Sequence, residues 1–252
     1  MFTDTHTHAY LPEFDADRDA MIERALGKKV NRLFLPNIDT GTFEPMLALC
    51  SKYPNVCFPM AGLHPCSVTA DYLSQLEEIK EQFIRHRFYA IGEIGIDLYH
   101  DVTFAQQQKE AFRIQLKWSR EMNLPVVIHC RNSFDEVMEF VKEEKPKGIF
   151  HCFTGSKEEA ARIMELKTFK MGIGGVVTYK NSALPQVLKD VPLSSIVLET
   201  DSPYLSPVPY RGKRNESSYI PIIAEKLAEI YKLPVEKIAE QTTENSAEIF
   251  GI

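Results

Sequence analysis

The chain alternates between two spacings of apolar residues. Short apolar clusters rich in Val, Ile and Phe recur at Phe2–Thr5, Arg32–Leu35, Val56–Ala61, Tyr89–Glu93, Pro125–His129, Gly148–His151, Lys170–Ile173 and Ser195–Glu199. Runs of that length and composition predict β-strands. Between them lie longer segments whose apolar residues return every three or four positions, the helical period. These are Asp15–Gly27, Thr42–Lys52, Asp71–Arg85, Phe104–Met122, Ser133–Glu143, Ser156–Leu166 and Ser182–Asp190, with two more at Glu216–Tyr231 and Pro234–Phe250. Gly27 reads as a C-cap, and Ser133 with Glu136 reads as a capping box. Phe112, Leu116 and Ser119 share one side of their helix.

Eight strands, each followed by a helix, predict an α/β fold with parallel strands, and a closed (β/α)8 TIM barrel accounts for the order. An open doubly wound sheet is the other arrangement. It usually carries a Gly-rich turn after its first strand, and none follows Phe2–Thr5. No repeat, low-complexity tract or long linker interrupts the pattern, so residues 1–252 read as a single domain. With 252 residues and 44% hydrophobic content, the chain can bury a large core. No stretch approaches the roughly 20 apolar residues that span a bilayer. No basic-then-apolar leader is seen, so no membrane partner is expected.

Five cysteines (Cys50, Cys57, Cys66, Cys130 and Cys152) show no C-x-x-C spacing, which suits free thiols in a reducing cytoplasm. The net charge of −6 argues against gripping long duplex DNA through many phosphate contacts. Positive charge concentrated by metal ions would still permit action on a nucleic-acid end.

A barrel gathers its catalytic groups at the carboxyl ends of its strands, and the polar residues follow that rule. His6 and His8 succeed the first strand, and side chains two apart share a face of an extended chain. The third strand leads into Gly62-Leu63-His64-Pro65. The fourth ends at Glu93, the fifth at His129 and the sixth at His151, while Asp201 stands just past the eighth. Five of the seven histidines thus fall at strand ends, and His86 and His100 read as surface residues.

Taken singly, each of these residues has an ordinary structural explanation. Together, His6, His8, Glu93, His129, His151 and Asp201 crowd four imidazoles and two carboxylates onto one rim. That crowding makes sense chiefly if cations bind there. Six ligands exceed one tetrahedral ion and suit two ions sharing a bridge, roughly 3.5–4 Å apart. Glu93 is the expected bridge, with His6, His8 and Asp201 completing one ion and His129 and His151 the other. Two divalent cations beside two carboxylates and a hydroxide leave the pocket positive, which favours a phosphate ester as substrate. Nitrogen-rich ligands suggest zinc, manganese, iron or cobalt ahead of magnesium.

The blocks that carry these residues are His6-x-His8, Gly62-Leu63-His64-Pro65, Gly92-Glu93-Ile94-Gly95, Pro125 to Arg131 and His151-Cys152-Phe153-Thr154-Gly155. They continue through Glu199-Thr200-Asp201-Ser202-Pro203-Tyr204-Leu205, Arg211 to Glu216 and Thr242 to Asn245. In this order, and over nearly the whole chain, they resemble the TatD family of metal-dependent hydrolases. The resemblance implies a TIM barrel of the amidohydrolase superfamily, a metal-dependent nuclease activity on DNA and a cytoplasmic location. Some related members process RNA or deacylate mischarged tRNA. Two departures stand out: Ala9-Tyr10 replaces an acidic residue that the family commonly has there, and members are often assayed with magnesium. The metal is therefore open among Zn, Mn and Mg. Amidohydrolase relatives often bridge with a carboxylated Lys, a role Glu93 takes here.

The expected reaction is hydrolysis of DNA phosphodiesters, exonucleolytic on single-stranded ends, with Asp201 taking the proton of the attacking water. His64 is expected to donate a hydrogen bond to the substrate phosphate and Arg131 to clamp it. Arg211, Lys213 and Arg214 form the densest basic cluster, a candidate contact for nucleic-acid backbone. Cys130 and Cys152 read as core residues. The alternative is hydrolysis of another bond, such as the ester of a D-aminoacyl-tRNA or a small amide or ester. The oligomeric state is not legible, and a monomer is compatible with the sequence.

Overall fold

The computed structural model describes residues 1–252. Its strands are β1 (Phe2–Asp4), β2 (Val30–Pro36), β3 (Cys57–Met60), β4 (Ile91–Asp97), β5 (Val126–Arg131), β6 (Gly148–Phe150), β7 (Phe169–Ile173) and β8 (Ile196–Leu198). All pair in parallel and in sequence order, β1 to β3 in one ladder and β4 to β8 in another. Single parallel bridges close the two seams, Ala61 with Ile91 and Thr7 with Ser202. The Gly92 amide donates to Ala61 O and the Thr5 amide to Leu198 O, each at 2.9 Å. The result is a TIM barrel.

Around the strands run α1 (Arg18–Gly27), α2 (Phe43–Lys52), α3 (Tyr72–Arg85), α4 (Ala105–Met122), α5 (Phe134–Glu144), α6 (Lys157–Glu165), α7 (Leu184–Val187), α8 (Ile220–Tyr231) and α9 (Val235–Phe250). None is long and apolar enough to cross a membrane.

Strand alternation divides the core in two. Leu33, Leu35, Val126, Ile128 and Phe150 belong to the larger cluster, between strands and helices. Phe34, Phe58, Val127, Ile149 and Val197 form the smaller one inside the barrel, joined by Ile249 and Phe250 of α9. Phe250 stacks on Phe34 with centroids 3.7 Å apart and plugs that end. Side chains two residues further along the same faces are His129, His151 and Glu199, so the apolar interior continues into a polar upper layer.

Several elements differ from expectation. The Ser182–Asp190 segment is only a four-residue helix followed by a 3-10 turn, with Pro185 in the first turn setting its start. The helix expected from Glu216 starts at Ile220, with Pro221 in its first turn. Gly27 is the last residue of α1, not its cap; Lys28 caps it, and Lys29 takes the left-handed φ of 62°. Ser133 makes no capping box, since its Oγ donates instead to Ile96 O at 2.6 Å. A reciprocal box does form at Ser156 and Glu159. The largest difference is β4, which runs past Glu93 to Asp97. It can do so because Gly95, at φ 150°, lets β5 close in: a Cβ there would lie 1.9 Å from His129 O.

Candidate metal centre

His6 and His8 flank Thr7, whose bridge to Ser202 keeps the chain extended past β1. Both imidazoles therefore turn to the barrel axis, with their Nε2 atoms 3.3 Å apart. Glu93 reaches the same axis because the β4–β5 register shifts between Ile91 and Ile94. Ile91, Ile94 and Ile96 face the helices, and the shift leaves Glu93 pointing inward. Asp201 follows β8 in the left-handed region, at φ 55°, a conformation Asp and Asn tolerate.

Glu93 is the hub. Its Oε2 lies 3.2 Å from His6 Nε2 and 3.7 Å from His8 Nε2. Its Oε1 lies 2.9 Å from His129 Nδ1, 3.3 Å from His64 Nε2 and 3.7 Å from His151 Nε2. Asp201 Oδ1 sits 3.7 to 3.9 Å from Nε2 of His6, His8 and His151. All six expected ligands thus converge. His64 comes closer to the Glu93 carboxylate than a rim residue reserved for substrate would need.

Electrostatics separates these imidazoles into two groups. Burial and the neighbouring His6 hold His8 well below its usual pKa, and burial lowers His151 too, so both present neutral nitrogens. Burial also acts to lower His64 and His129. At His64 the Glu93 charge outweighs it, and at His129 hydrogen bonds to Asp97 and Glu93 do, raising both to about 9. For Glu93 burial acts upward, but the charge of His64 and the hydrogen bond with His129 hold it well below the usual carboxylate range. Burial raises Asp201.

The chemistry of this donor set fits divalent cations. Lone-pair atoms face each other at close range inside a buried cage, where protons on His64 and His129 offset the Glu93 charge. Metal binding replaces such protons.

Two carboxylates that strand-end position did not single out stand behind the imidazoles. Asp97 Oδ2 lies 2.8 Å from His129 Nε2, while Asp97 Oδ1 accepts from the amides of Tyr99 and His100. Glu199 Oε1 accepts from the Cys152 amide at 2.6 Å and lies 3.0 Å from His151 Nδ1, though off the line of a hydrogen bond. Burial pushes Glu199 up to about 7. Gly172 makes room for it, since a Cβ there would stand 2.0 Å from Glu199 Oε2. The available signal was position: Asp97 is two pleats beyond Glu93, and Glu199 two residues before Asp201.

A cavity of about 610 Å³ opens over the centre, lined by His8, His64, Glu93, His129, His151 and Asp201, with Arg131, His100 and Tyr204 at its mouth. Arg131 stacks its guanidinium 4.0 Å from the Tyr99 ring centroid. Arg211 and Lys213 do not line this cavity; Arg211 is drawn over Tyr179 at 4.5 Å by cation–π attraction. Arg214 is taken by Asp17 at 2.6 and 2.9 Å. Arg211 and Arg214 thus tie their loop to Tyr179 and Asp17. Cys130 and Cys152 are not sealed in the core as expected. They line the cavity, and burial raises both thiols, Cys130 to about 11.

A parallel barrel with imidazoles and carboxylates focused above its axis defines the metal-dependent hydrolase class. Comparison with known proteins places the chain within that class. The family model described as TatD related DNase matches residues 3–251, and the chain belongs to that family. It is 38% identical over 256 residues to the uncharacterized metal-dependent hydrolase YabD of Bacillus subtilis, covering 100% of both chains. It is 31% identical over 252 residues to the 3'-5' ssDNA/RNA exonuclease TatD of Pantoea ananatis, covering 95% of each. The crystal structure of the Escherichia coli TatD homolog YjjV superposes with a TM-score of 0.93 at 30% identity, over 100% of this chain and 98% of that one.

Proposed function

We propose that residues 1–252 act as one metal-dependent phosphodiesterase domain that trims single-stranded nucleic-acid ends. The observation that carries this reading is the Glu93 carboxylate, surrounded by five imidazoles within 3.7 Å. His6, His8, Glu93 and Asp201 would hold one cation, and Glu93, His129 and His151 the second, with zinc or manganese suited to so many nitrogens. When bound, two such cations supply Lewis acidity towards a phosphoryl oxygen and a nucleophilic water at neutral pH.

The remaining work belongs to side chains. Asp201, 16% exposed against 3% for Glu93, is the more open of the two cavity carboxylates, and it takes the proton of the attacking water. His64 donates a hydrogen bond to the phosphate. Arg131 draws the anionic backbone to the mouth. The name of the Pantoea relative supports single-stranded DNA or RNA as the polymer. Unpaired cysteines support work in a reducing compartment such as the cytoplasm.

The test is incubation of purified protein with end-labelled single-stranded DNA, duplex DNA, RNA and D-aminoacyl-tRNA, each with Mg, Mn or Zn. Stepwise shortening of the single strands, abolished by chelator, is expected. Deacylation of the tRNA without shortening of any polymer would replace the phosphodiesterase reading with the ester-hydrolase one.

A further inference from the structure

Beyond the Glu93 cage, one more group of donors faces the cavity mouth. Cys66, Asp97 and His100 bring Sγ, a carboxylate oxygen and an imidazole nitrogen within 4.8 Å of one another. His100 Nδ1 lies 3.0 Å from Asp97 Oδ2, and Cys66 Sγ lies 4.0 Å from His100 Nδ1. Zinc bonds sulfur at about 2.3 Å and nitrogen or oxygen at about 2.0 Å, so its tetrahedral donors sit roughly 3.3–3.8 Å apart. The two spacings given by these contacts, 3.0 and 4.0 Å, lie within about half an ångström of that range. We propose that Cys66, Asp97 and His100 form a third cation site, separate from the Glu93 centre, that takes Zn²⁺.

Two neighbouring strand ends build it. Cys66 follows His64-Pro65 after β3 in a short turn held by its amide, which donates to His64 Nδ1 at 3.1 Å. Asp97 closes β4, and its Oδ1 is fixed by the Tyr99 and His100 amides at 2.9 and 3.0 Å. The His129 ring stands between the two centres, with Nδ1 towards Glu93 and Nε2 towards Asp97. Asp97 Oδ2 can keep the His129 N–H on one lone pair and give the other to a cation. Magnesium prefers an all-oxygen shell, whereas thiolate and imidazole select zinc.

The proton balance follows from the contacts. Without the ion, His100 carries its proton on Nδ1, donated to Asp97, and its Nε2 faces Arg131 Nη1 at 3.4 Å. Zinc takes the Nδ1 lone pair, so that proton moves to Nε2, and Cys66 gives up its thiol proton. One proton leaves per ion. Arg131 loses its acceptor on His100 and is freed towards the cavity. Cys66 is exposed and the His100 side chain 53% exposed, so the fourth position remains open to water or a substrate oxygen.

Full-length protein, stripped of metal and reloaded with excess zinc, should carry one ion per chain fewer in Cys66→Ser and in His100→Ala than in the parent. Reloading with cobalt(II) should give a thiolate-to-metal absorption band that both variants lose. Matching melting temperatures of the metal-free proteins would show that the exposed substitutions leave the fold intact. Zinc content and cobalt band unchanged in both variants would overturn the site. So would a band that survives in Cys66→Ser and vanishes in Cys152→Ser, because the thiolate would then belong to the Glu93 centre. Neither readout depends on which bond the enzyme hydrolyses.

Discussion

Asp97 Oδ2 holds His129 Nε2 at 2.8 Å, so the other ring nitrogen, Nδ1, is aimed at Glu93. A carboxylate behind an imidazole sets the tautomer and makes the facing nitrogen a better ligand.

Replacing Asp97 with Asn should preserve the barrel and weaken metal binding at the Glu93 centre by about 10–100-fold. Chelator competition in a Cys66→Ser background reads that centre alone. An affinity equal to that of the Cys66→Ser parent would mean that Asp97 does not orient His129.

Asp201→Asn keeps a residue that accepts the left-handed φ of 55° and removes the proton acceptor. Turnover on a phosphodiester should fall by about 100-fold or more, the usual scale for a lost general base. Circular dichroism should be unaltered. A variant as fast as the parent would take Asp201 out of the chemistry.

Arg131→Ala should raise KM for a single-stranded oligonucleotide about tenfold while kcat changes little. A hydrogen bond to a charged group contributes roughly 1.5–3 kcal/mol, and Arg131 meets substrate before the reacting atoms do. Steady-state kinetics at fixed metal decides it: an unaltered KM removes Arg131 from substrate binding.

Gly95→Ala places a methyl 1.9 Å from His129 O, against backbone that cannot step aside. Destabilisation of about 3 kcal/mol or more is expected from such overpacking. Gly27→Ala, with nothing within 4 Å of the added Cβ, should instead stabilise by about 0.5 kcal/mol. Urea melts of the two variants supply the contrast, and equal midpoints would contradict the close approach of β5.

In chelator, stability should decline as pH rises from about 6.5 towards 9. His64 and His129 titrate near 9 in the fold against 6.5 for a free imidazole, so the folded chain binds more protons across that interval. Their contribution is fully present below 6.5 and lost as pH passes 9. Glu199, raised from 4.5 to about 7, adds a loss of the same sign at lower pH. Melting temperatures at pH 6 and pH 9 test this, and saturating zinc should flatten the difference because a cation replaces the protons. A metal-free protein equally stable at both values would refute it.

The order of strands and the side chains that gather around Glu93 were legible, while some of their neighbours were not. Val127 and His129, or Ile149 and His151, share a face by the two-residue period, so a histidine after an apolar cluster marks a strand end wherever the strand sits. Glu93 escapes that logic. The register shift between Ile91 and Ile94 reverses the parity and turns it inward, and no local spacing announces such a shift. Asp97 was hidden for a related reason: the fourth strand reads as ending at Glu93, whereas Gly92 and Gly95 let β4 continue against β5 to Asp97. Arg211, Lys213 and Arg214 form a dense basic cluster in the sequence, and only the fold shows that Tyr179 and Asp17 are the contacts of Arg211 and Arg214.

By itself the sequence determined the alternation of strand and helix, and the supply of nitrogen and oxygen donors after the strands. Both are written in covalent order and side-chain period, which act over a few residues. Only the closed barrel decided which donors meet. Asp4 Oδ1 accepts from the Thr200 amide at 3.0 Å across 196 residues, and that contact, like the cage around Glu93, exists only once the first strand returns to the last. Distances between remote segments depend on how every intervening layer packs, and no periodicity in the chain encodes that sum.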